Sequence, residues 1–163
     1  MYCINCGEKT TLMYYRGEGL IPFCKKCEEF RFPQFATAVS MVVVNREKDK
    51  VLLAKHRGQE DYILFAGYVK KGETAEKTVT RELKEETKLS TVKFKFMSSR
   101  YLEAKNLLML NFLVVAENGE IELLDDEIES VEWFSIDDAL KNVRDQSTAQ
   151  YFLKNAISEI KKI

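Results

Sequence analysis

The sequence predicts an α/β protein, an α/β/α sandwich with a mixed sheet, preceded by a small cysteine-rich segment. Three features favour this fold class. A charged helical segment follows a glycine turn in the middle of the chain, apolar runs typical of strands lie on both sides of it, and all four cysteines lie in the first 27 residues. Strands combined with helices in this way are typical of layered α/β domains. With 163 residues, the chain has room for one main domain and a small appendage.

Composition narrows the class of protein. Apolar residues make up 45% of the chain, which is enough for a hydrophobic core. The formal net charge of −1 gives no overall positive field to attract nucleic acid or anionic lipid. No segment approaches the roughly eighteen apolar residues of a membrane span, and no charged-then-apolar leader opens the chain. We therefore expect a cytoplasmic protein without a membrane or nucleic-acid partner.

The cysteines form two pairs with the same spacing, and 17 residues separate the pairs: Cys3-x2-Cys6 and Cys24-x2-Cys27. Without a secretory leader, this pattern predicts a structural zinc site with four thiolate ligands, and a redox dithiol pair is the alternative. Gly7 favours a tight turn after the first pair, whereas Glu28 stands at that place after the second pair. We predict that residues 1–33 form a zinc ribbon and that residues 34–163 form the main domain.

Apolar runs predict the other elements of the main domain in order. Residues 36–44, ATAVSMVVV, read as a buried strand, and residues 50–56 pair with it across a turn. Residues 62–66 lead into the central segment. The remaining predicted elements are strands at 92–100, 107–116 and 128–134, and helices at 136–143 and 148–162.

The central segment, GYVKKGETAEKTVTRELKEETKL, covers residues 67–89. It begins as a turn and continues as a helix to about residue 87, because that part contains strong helix formers and no Gly or Pro. Thr74 stands where an N-cap belongs. At about 100° per residue, three residues form one apolar stripe, which a surface helix turns toward its core: Ala75, Val79 and Leu83.

Three glutamates lie on or beside this apolar stripe. Glu82 and Glu86 fall on the same arc, and Glu85 borders it. Carboxylates at such spacings repel one another by a few tenths of a kcal/mol per pair, and burial without partners costs far more. A cation among them removes both costs, and oxygen ligands suit Mg²⁺ or Mn²⁺. A solvated acidic helix face is the alternative, but the inward arc argues against it.

The segment resembles the Nudix box, G-x5-E-x7-R-E-U-x-E-E-x-G-U, in which U is a bulky aliphatic residue. Every defined position agrees except the last glycine, where Lys88 stands. Because a left-handed residue is often needed after a helix, lysine there should cost about 1 kcal/mol. The resemblance to the Nudix family implies the α/β/α sandwich fold and a pyrophosphohydrolase activity that requires a divalent metal.

The resemblance also implies roles for the residues of the box. Glu82, Glu85 and Glu86 are expected to be metal ligands and catalytic residues, in agreement with the helical arc. Arg81 is expected to orient them, and pairing with Glu85 on the helix surface is the compatible alternative. Glu73 is expected to brace the loop rather than to bind metal.

Glu127 resembles a late glutamate of the family and is a candidate for an additional metal ligand or the general base. Asp125, Asp126 and Glu129 surround it, so a solvated acidic turn is the alternative. His56, the only histidine, stands at a strand end, and we expect a surface or structural role for it.

Five residues are candidates for substrate binding. Gly67 lets the backbone approach closely, and Lys70 or Lys71 would contact phosphate, with simple solvent exposure of these lysines as the alternative. Arg57 and Arg100 are expected to reach substrate phosphates.

A four-cysteine ribbon followed directly by this box is similar to the zinc-ribbon NADH pyrophosphatase branch of the family, whose members are often homodimers. That branch carries Ser-Gln-Pro-Trp-Pro-Phe-Pro-x-Ser after the box, and residues 99–107 share only the first serine. The preference for NAD(H) is therefore not carried over.

The expected reaction is hydrolysis of the pyrophosphate bond in a nucleoside diphosphate linked to another group, such as a dinucleotide or ADP-ribose. The alternative is a non-catalytic Nudix module that senses a nucleotide derivative or binds a partner. Such modules usually lack a box glutamate, and none is missing here. A ribbon that reads nucleic acid is a third class, but acidic residues nearly offset the basic residues of the ribbon.

Overall fold

A computed structural model describes residues 1–123 and 127–163 of the chain. The chain divides into two compact units, Met1–Phe35 and Ala36–Ile163. The first unit contains a three-stranded antiparallel sheet in the order β1-β2-β3. Its strands are β1 (Thr11–Tyr15), β2 (Gly19–Cys24) and β3 (Glu29–Phe30).

The second unit is built on a seven-stranded mixed sheet. Its central strands, β4 (Ala36–Val44) and β9 (Leu107–Ala116), run parallel to each other. The order is β10-β5-β4-β9-β8, with β6 paired to β5 and β7 paired to β4. The other strands are β5 (Lys50–His56), β6 (Tyr62–Ile63), β7 (Phe65–Tyr68), β8 (Thr91–Leu102) and β10 (Ile128–Ser135).

In the described ranges, three α-helices cover the two faces of this sheet, and a short 3-10 turn precedes β9. They are α1 (Ala75–Thr87), α2 (Ile136–Asn142), α3 (Thr148–Ile160) and the turn Glu103–Lys105. Side chains of α1 pack in the core on one face, and those of α2 and α3 pack in the core on the other. The predicted α/β/α sandwich with a mixed sheet is therefore confirmed. Within the described ranges, no helix has the length and apolar character needed to cross a membrane.

Strand β4 is covered on both faces of the sheet, which explains its nearly continuous apolar sequence. Val42 and Val44 belong to the core beneath α3, whereas Met41 and Val43 belong to the core beneath α1. All four side chains are fully buried. A strand covered on both faces needs apolar residues at successive positions, because successive side chains point to opposite faces.

The ends of α1 follow from local sequence. Thr74 is the N-cap, as predicted, and its hydroxyl accepts a hydrogen bond from the Lys77 N–H at 3.3 Å. At the other end, Lys88 takes a left-handed conformation with φ of 64°, and its N–H donates to the Lys84 carbonyl. The predicted strain at the position of the missing glycine is therefore present in the backbone.

We predict that Lys88→Gly raises the free energy of unfolding by about 1 kcal/mol, because glycine adopts the left-handed conformation without a steric cost. Urea unfolding monitored by circular dichroism measures this difference. The matched control is Lys77→Gly, the same substitution at an exposed position inside α1, which should lower stability by up to about 1 kcal/mol. Equal losses in the two variants would contradict the assignment of strain to Lys88.

Candidate active site and metal centre

A cavity of about 540 Å³ opens between α1, β7, the end of β5 and the beginning of β10. Its walls contain all four predicted ligands of the divalent metal: Glu82, Glu85, Glu86 and Glu127. Glu82 and Glu86 are half-buried, and the side chain of Glu85 is 55% exposed. These exposures follow the helical arc, on which Glu85 lies at the border. The fold thus gathers four carboxylate side chains from two separate parts of the chain at one cavity.

Strand β7 brings Gly67 directly against Glu82. An ideal Cβ atom built on Gly67 would lie 1.9 Å from Cδ and 2.0 Å from Oε1 of Glu82. These separations are far shorter than van der Waals contact, so any larger residue would displace the carboxylate. The glycine at this position therefore allows the side chain of Glu82 to lie against the strand.

The guanidinium of Arg81 is the centre of the polar network. Its Nε and Nη2 atoms donate to the two carboxylate oxygens of Glu73 at 2.8 and 2.9 Å. Its Nη1 atom donates to Glu82 at 2.7 Å and to Glu85 at 2.9 Å, and Nη2 also donates to the Tyr68 carbonyl at 3.1 Å. A guanidinium has five N–H donors, so these five hydrogen bonds use all of them.

Glu73 joins the turn to the helix, which is the bracing role expected for it. The hydrogen bonds from Arg81 lower the pKa of the Glu73 carboxyl to about 2, although burial acts in the opposite direction. The backbone N–H of Lys70 also donates to this carboxylate, at 3.2 Å. The same ion pairs raise the pKa of Arg81. Glu73 and Arg81 therefore both remain charged at neutral pH.

Glu127 lines the cavity at the beginning of β10, and its backbone carbonyl accepts a hydrogen bond from the Arg57 N–H at 2.9 Å. The carboxylate of Glu129 accepts a backbone hydrogen bond from the turn after β5. Asp125 and Asp126 lie outside the described residues. The described part of this acidic segment is thus attached to the end of β5.

The candidate substrate-binding residues do not all reach the cavity. Lys70 lines it, but among the described residues Lys71, Arg57 and Arg100 lie outside its lining. Arg100 lies over the ring of Tyr151 on α3 instead, 5.1 Å from the ring centroid. After the register shift between Phe96 and Ser98, Arg100 pairs with Met109, which packs in the core beneath α3, so Arg100 lies on the face covered by α3.

Two polar residues that were not predicted as site residues also line the cavity. They are His56, at the end of β5, and Tyr68, at the end of β7, which is 61% exposed. His56 and Ala54 are two residues apart on β5 and share a face, because side chains in a strand alternate. The period-2 pattern could have identified this face only if the position of β5 in the sheet had been known.

The chemistry of the donor set fits a hard divalent cation, since four carboxylates reach one cavity. Their oxygens do not converge in this structure. In residues 1–123 and 127–163, only the four cysteines form a group of at least three candidate ligands with all ligand atoms within 4.8 Å. The Nη1 atom of Arg81 contacts one oxygen of Glu82 and one oxygen of Glu85.

The cysteine cluster has the dimensions of a metal centre. The Sγ atoms of Cys3 and Cys27 lie 3.9 Å apart, and those of Cys6 and Cys24 lie 3.5 Å apart. All four thiols are free, because none forms a disulfide. A tetrahedral Zn²⁺ ion with Zn–S bonds of about 2.3 Å requires sulfur atoms about 3.8 Å apart. The four residues can therefore hold a metal ion with little movement.

The turns and charges around the cluster support this arrangement. Gly7 and Glu28, which follow the two cysteine pairs, both have positive φ, 73° and 56°. The Nε atom of Arg31 donates to the sulfur of Cys3 at 3.1 Å. Burial alone would raise the pKa of the Cys3 thiol, but this hydrogen bond, with those from backbone N–H groups, lowers it to about 6. Cys3 is thus already prepared to act as a thiolate ligand.

Comparison with known proteins identifies the class. Residues 34–155 match the NUDIX domain, and this match covers most of the chain. The chain therefore belongs to the Nudix family.

The curated relatives indicate which branch of the family the chain resembles. The chain is 32% identical to the NAD-capped RNA hydrolase NudC of Haemophilus influenzae strain PittGG over 99% of its own length and 61% of the relative's. It spans about half the length of other curated relatives, such as the NudC of Pseudomonas entomophila, of which it covers 54%. The chain thus resembles the NudC branch of the family.

Solved structures share the fold at lower identity. A NUDIX hydrolase from Nitrosomonas europaea superposes with a TM-score of 0.68 at 17% identity, covering 99% of this chain and 90% of that one. The NUDIX domain of Shewanella oneidensis NrtR, solved with ADP ribose, gives a TM-score of 0.66 at 15% identity, with 85% and 94% coverage.

We predict that the stabilising effect of Glu73 depends on pH. The folded-state pKa of Glu73 lies below its ordinary value of 4.5, so its stabilisation is complete above about pH 4.5 and is lost as the pH falls through about 2. The stability difference between the parent and Glu73→Gln should therefore be largest at neutral pH and should shrink from pH 4.5 downward. Urea unfolding at a series of pH values measures it. The control is Glu60→Gln, in an exposed turn, where the difference should stay near zero throughout.

Proposed function

We propose that this protein is a pyrophosphohydrolase that depends on a divalent metal and cleaves nucleoside diphosphates linked to another group. The observation that carries the proposal is the cavity lined by Glu82, Glu85, Glu86 and Glu127, at which Gly67 and Arg81 fix the position of Glu82. Membership of the Nudix family supports the reaction class. The names of the relatives, NAD-capped RNA hydrolases and a domain bound to ADP ribose, support dinucleotide-type substrates.

Because the substrate is an anion, the carboxylates of the site would act on it through a bound cation. A pyrophosphate link carries at least two negative charges, which repel an attacking hydroxide. A bound Mg²⁺ or Mn²⁺ would neutralise the phosphoryl oxygens and would lower the pKa of a water molecule bound to it. Glu82, Glu85 and Glu86 would hold the ion, with Glu127 as a further ligand or as the base. One of these four carboxylates would take the proton from the attacking water.

The other site residues would position these groups. Arg81 occupies only one oxygen of Glu82 and one of Glu85, which leaves the second oxygens available for a cation. Lys70 at the cavity would pair with a substrate phosphate, and we extend no such role to Lys71, Arg57 or Arg100. Residues 99–107, which correspond to the NAD(H) motif of the similar branch, do not line the cavity. We therefore propose no preference for NAD(H).

We predict that Glu86→Gln abolishes Mg²⁺-dependent hydrolysis without unfolding the protein, because the neutral amide removes one negative charge from the ligand set of the cation. The measurement is the release of phosphate-bearing products from a panel of nucleoside-diphosphate derivatives with Mg²⁺ or Mn²⁺. The panel includes ADP-ribose and dinucleotides. The rate should fall by far more than tenfold, or more than about 1.4 kcal/mol of barrier.

The matched control is Glu76→Gln, on the exposed side of the same helix, which should keep the parental rate. Activity of Glu86→Gln within tenfold of the parent would contradict the ligand assignment. Tight binding of a panel compound by the parent, with no turnover of any compound, would favour the sensor alternative.

We also propose that residues 1–33 act as a zinc ribbon that serves the fold, while residues 34–163 carry the catalytic domain. In the first unit, the buried apolar side chains are those of Cys3, Ile21 and Cys24. So small an apolar core cannot stabilise a unit of this size, and a metal bound by four thiolates would provide the missing free energy. Four protein ligands leave no open position, so the site would be structural.

We predict about one zinc ion per chain, by elemental analysis of the purified protein. Cys27→Ser should lose the metal and the ordered structure of the first unit, because three thiolates hold zinc less tightly. Lys26→Ser, at an exposed position within the same pair, should keep both. A protein that is fully folded and free of metal would refute the ribbon assignment.

A further inference from the structure

The cavity must supply hydrogen-bond donors as well as metal ligands if it binds a diphosphate. Phosphate oxygens only accept hydrogen bonds, and the ionised glutamates of the cavity also only accept them. Three side chains with N–H donors line the cavity: His56, Lys70 and Arg81. Tyr68 also lines the cavity with a hydroxyl donor, but it is 61% exposed, so we compare the three side chains with N–H donors.

Arg81 does not have a donor left for a substrate. Each of its five N–H groups already donates to a carboxylate or to the Tyr68 carbonyl. If one of these hydrogen bonds broke, a glutamate of the box would lose its ion pair with Arg81, or α1 would lose its link to β7. Lys70 is exposed and lies in the turn before α1, so its ammonium is held by a flexible chain.

His56 differs from Lys70 because the sheet holds it in place. It is the last residue of β5, pairs with Ile128 of β10, and shares the cavity face of β5 with Ala54. The following turn is fixed as well, since the Gln59 N–H donates to the His56 carbonyl at 3.0 Å. The side chain is half-buried, and within the described part of the chain no hydrogen bond of its imidazole is found. A half-buried imidazole that lines the same cavity as four glutamates and has no hydrogen bond among the described residues has its N–H available for a ligand.

We propose that His56 contacts the substrate: its imidazole N–H donates a hydrogen bond to the diphosphate of the nucleotide that this cavity binds. The inference rests on the proposed function and adds a specific residue for phosphate recognition. It does not depend on the protonation state, because a neutral imidazole carries one N–H donor and a protonated imidazole carries two. A side chain on a strand positions a ligand more accurately than one on a loop, so His56 would fix the phosphate chain relative to the glutamates on α1.

Proton NMR of the unmodified protein provides the first test. His56 is the only histidine, so its two carbon-bound imidazole protons give unique signals. The protein is first saturated with Mg²⁺ and then titrated with α,β-methylene-ADP, a hydrolysis-resistant diphosphate, or with adenosine, which lacks phosphate. We expect the signals to shift with the diphosphate and not with adenosine. Unchanged signals at saturating diphosphate would overturn the inference, and so would equal shifts with adenosine.

A pair of variants provides the second test. Glutamine and methionine have similar length and shape, but only glutamine keeps an N–H donor. His56→Met should weaken the binding of α,β-methylene-ADP at saturating Mg²⁺ by tenfold or more and should raise KM with little change in kcat. His56→Gln should stay within about threefold of the parent. The control is Lys55→Met, the same substitution at the adjacent position of β5, which lies outside the cavity lining and should bind like the parent.

Each other outcome has a defined meaning. Parental affinity in His56→Met, or equal losses in two folded His56 variants, would overturn the donor role. If His56→Met does not fold, the NMR titration of the parent decides. If the parent hydrolyses diphosphate derivatives but its imidazole signals do not shift with the analogue, this inference alone is refuted. A parent that neither binds nor hydrolyses any panel compound would refute the proposed function.

Discussion

The geometry of the candidate site depends on one guanidinium. Arg81 joins the turn before α1 through Glu73, strand β7 through the Tyr68 carbonyl, and the helix itself through Glu82 and Glu85. Its planar fork can hold several acceptors at fixed angles, which a lysine ammonium on a flexible stem cannot do. Because all of these partners lie within 18 residues of the chain, from 68 to 85, the acids are positioned by one compact turn–helix unit. The distant sheet strands then need only to supply the opposite wall.

The two units of the chain are stabilised by different kinds of interaction. The second unit buries β4 and β9 almost completely between two helical layers, so the hydrophobic effect stabilises it. In the first unit, all five residues of β1 are exposed, including Leu12 and Tyr14. The cluster of four cysteines and aromatic contacts, such as the edge-to-face pair of Tyr15 and Phe30, take the place of a larger core. Chelation should therefore affect the first unit far more directly than the second.

The sequence could predict the elements whose apolar pattern is regular over many residues. Strands β4 and β9 and helix α1 lie where their apolar patterns place them, and the departure from the box at Lys88 predicted its backbone conformation. Arg100 and His56 could not be placed, because the face of a strand end depends on which strands are its neighbours. Helical spacing also could not show that Arg81 contacts Glu73, Glu82 and Glu85 together, since those contacts depend on side-chain rotamers and distances.

The parallel pairing at the centre of the sheet has a consequence for biosynthesis. Ser40 of β4 and Asn111 of β9 are directly opposite each other but 71 residues apart in the chain. A ribosome therefore releases the apolar β4 well before its main partner exists, and such unpaired strands are prone to aggregate. The four cysteines emerge earlier still, so the first unit could take up the proposed metal while translation of the rest continues. Chaperone dependence of the nascent protein should accordingly be concentrated in the interval between these two strands.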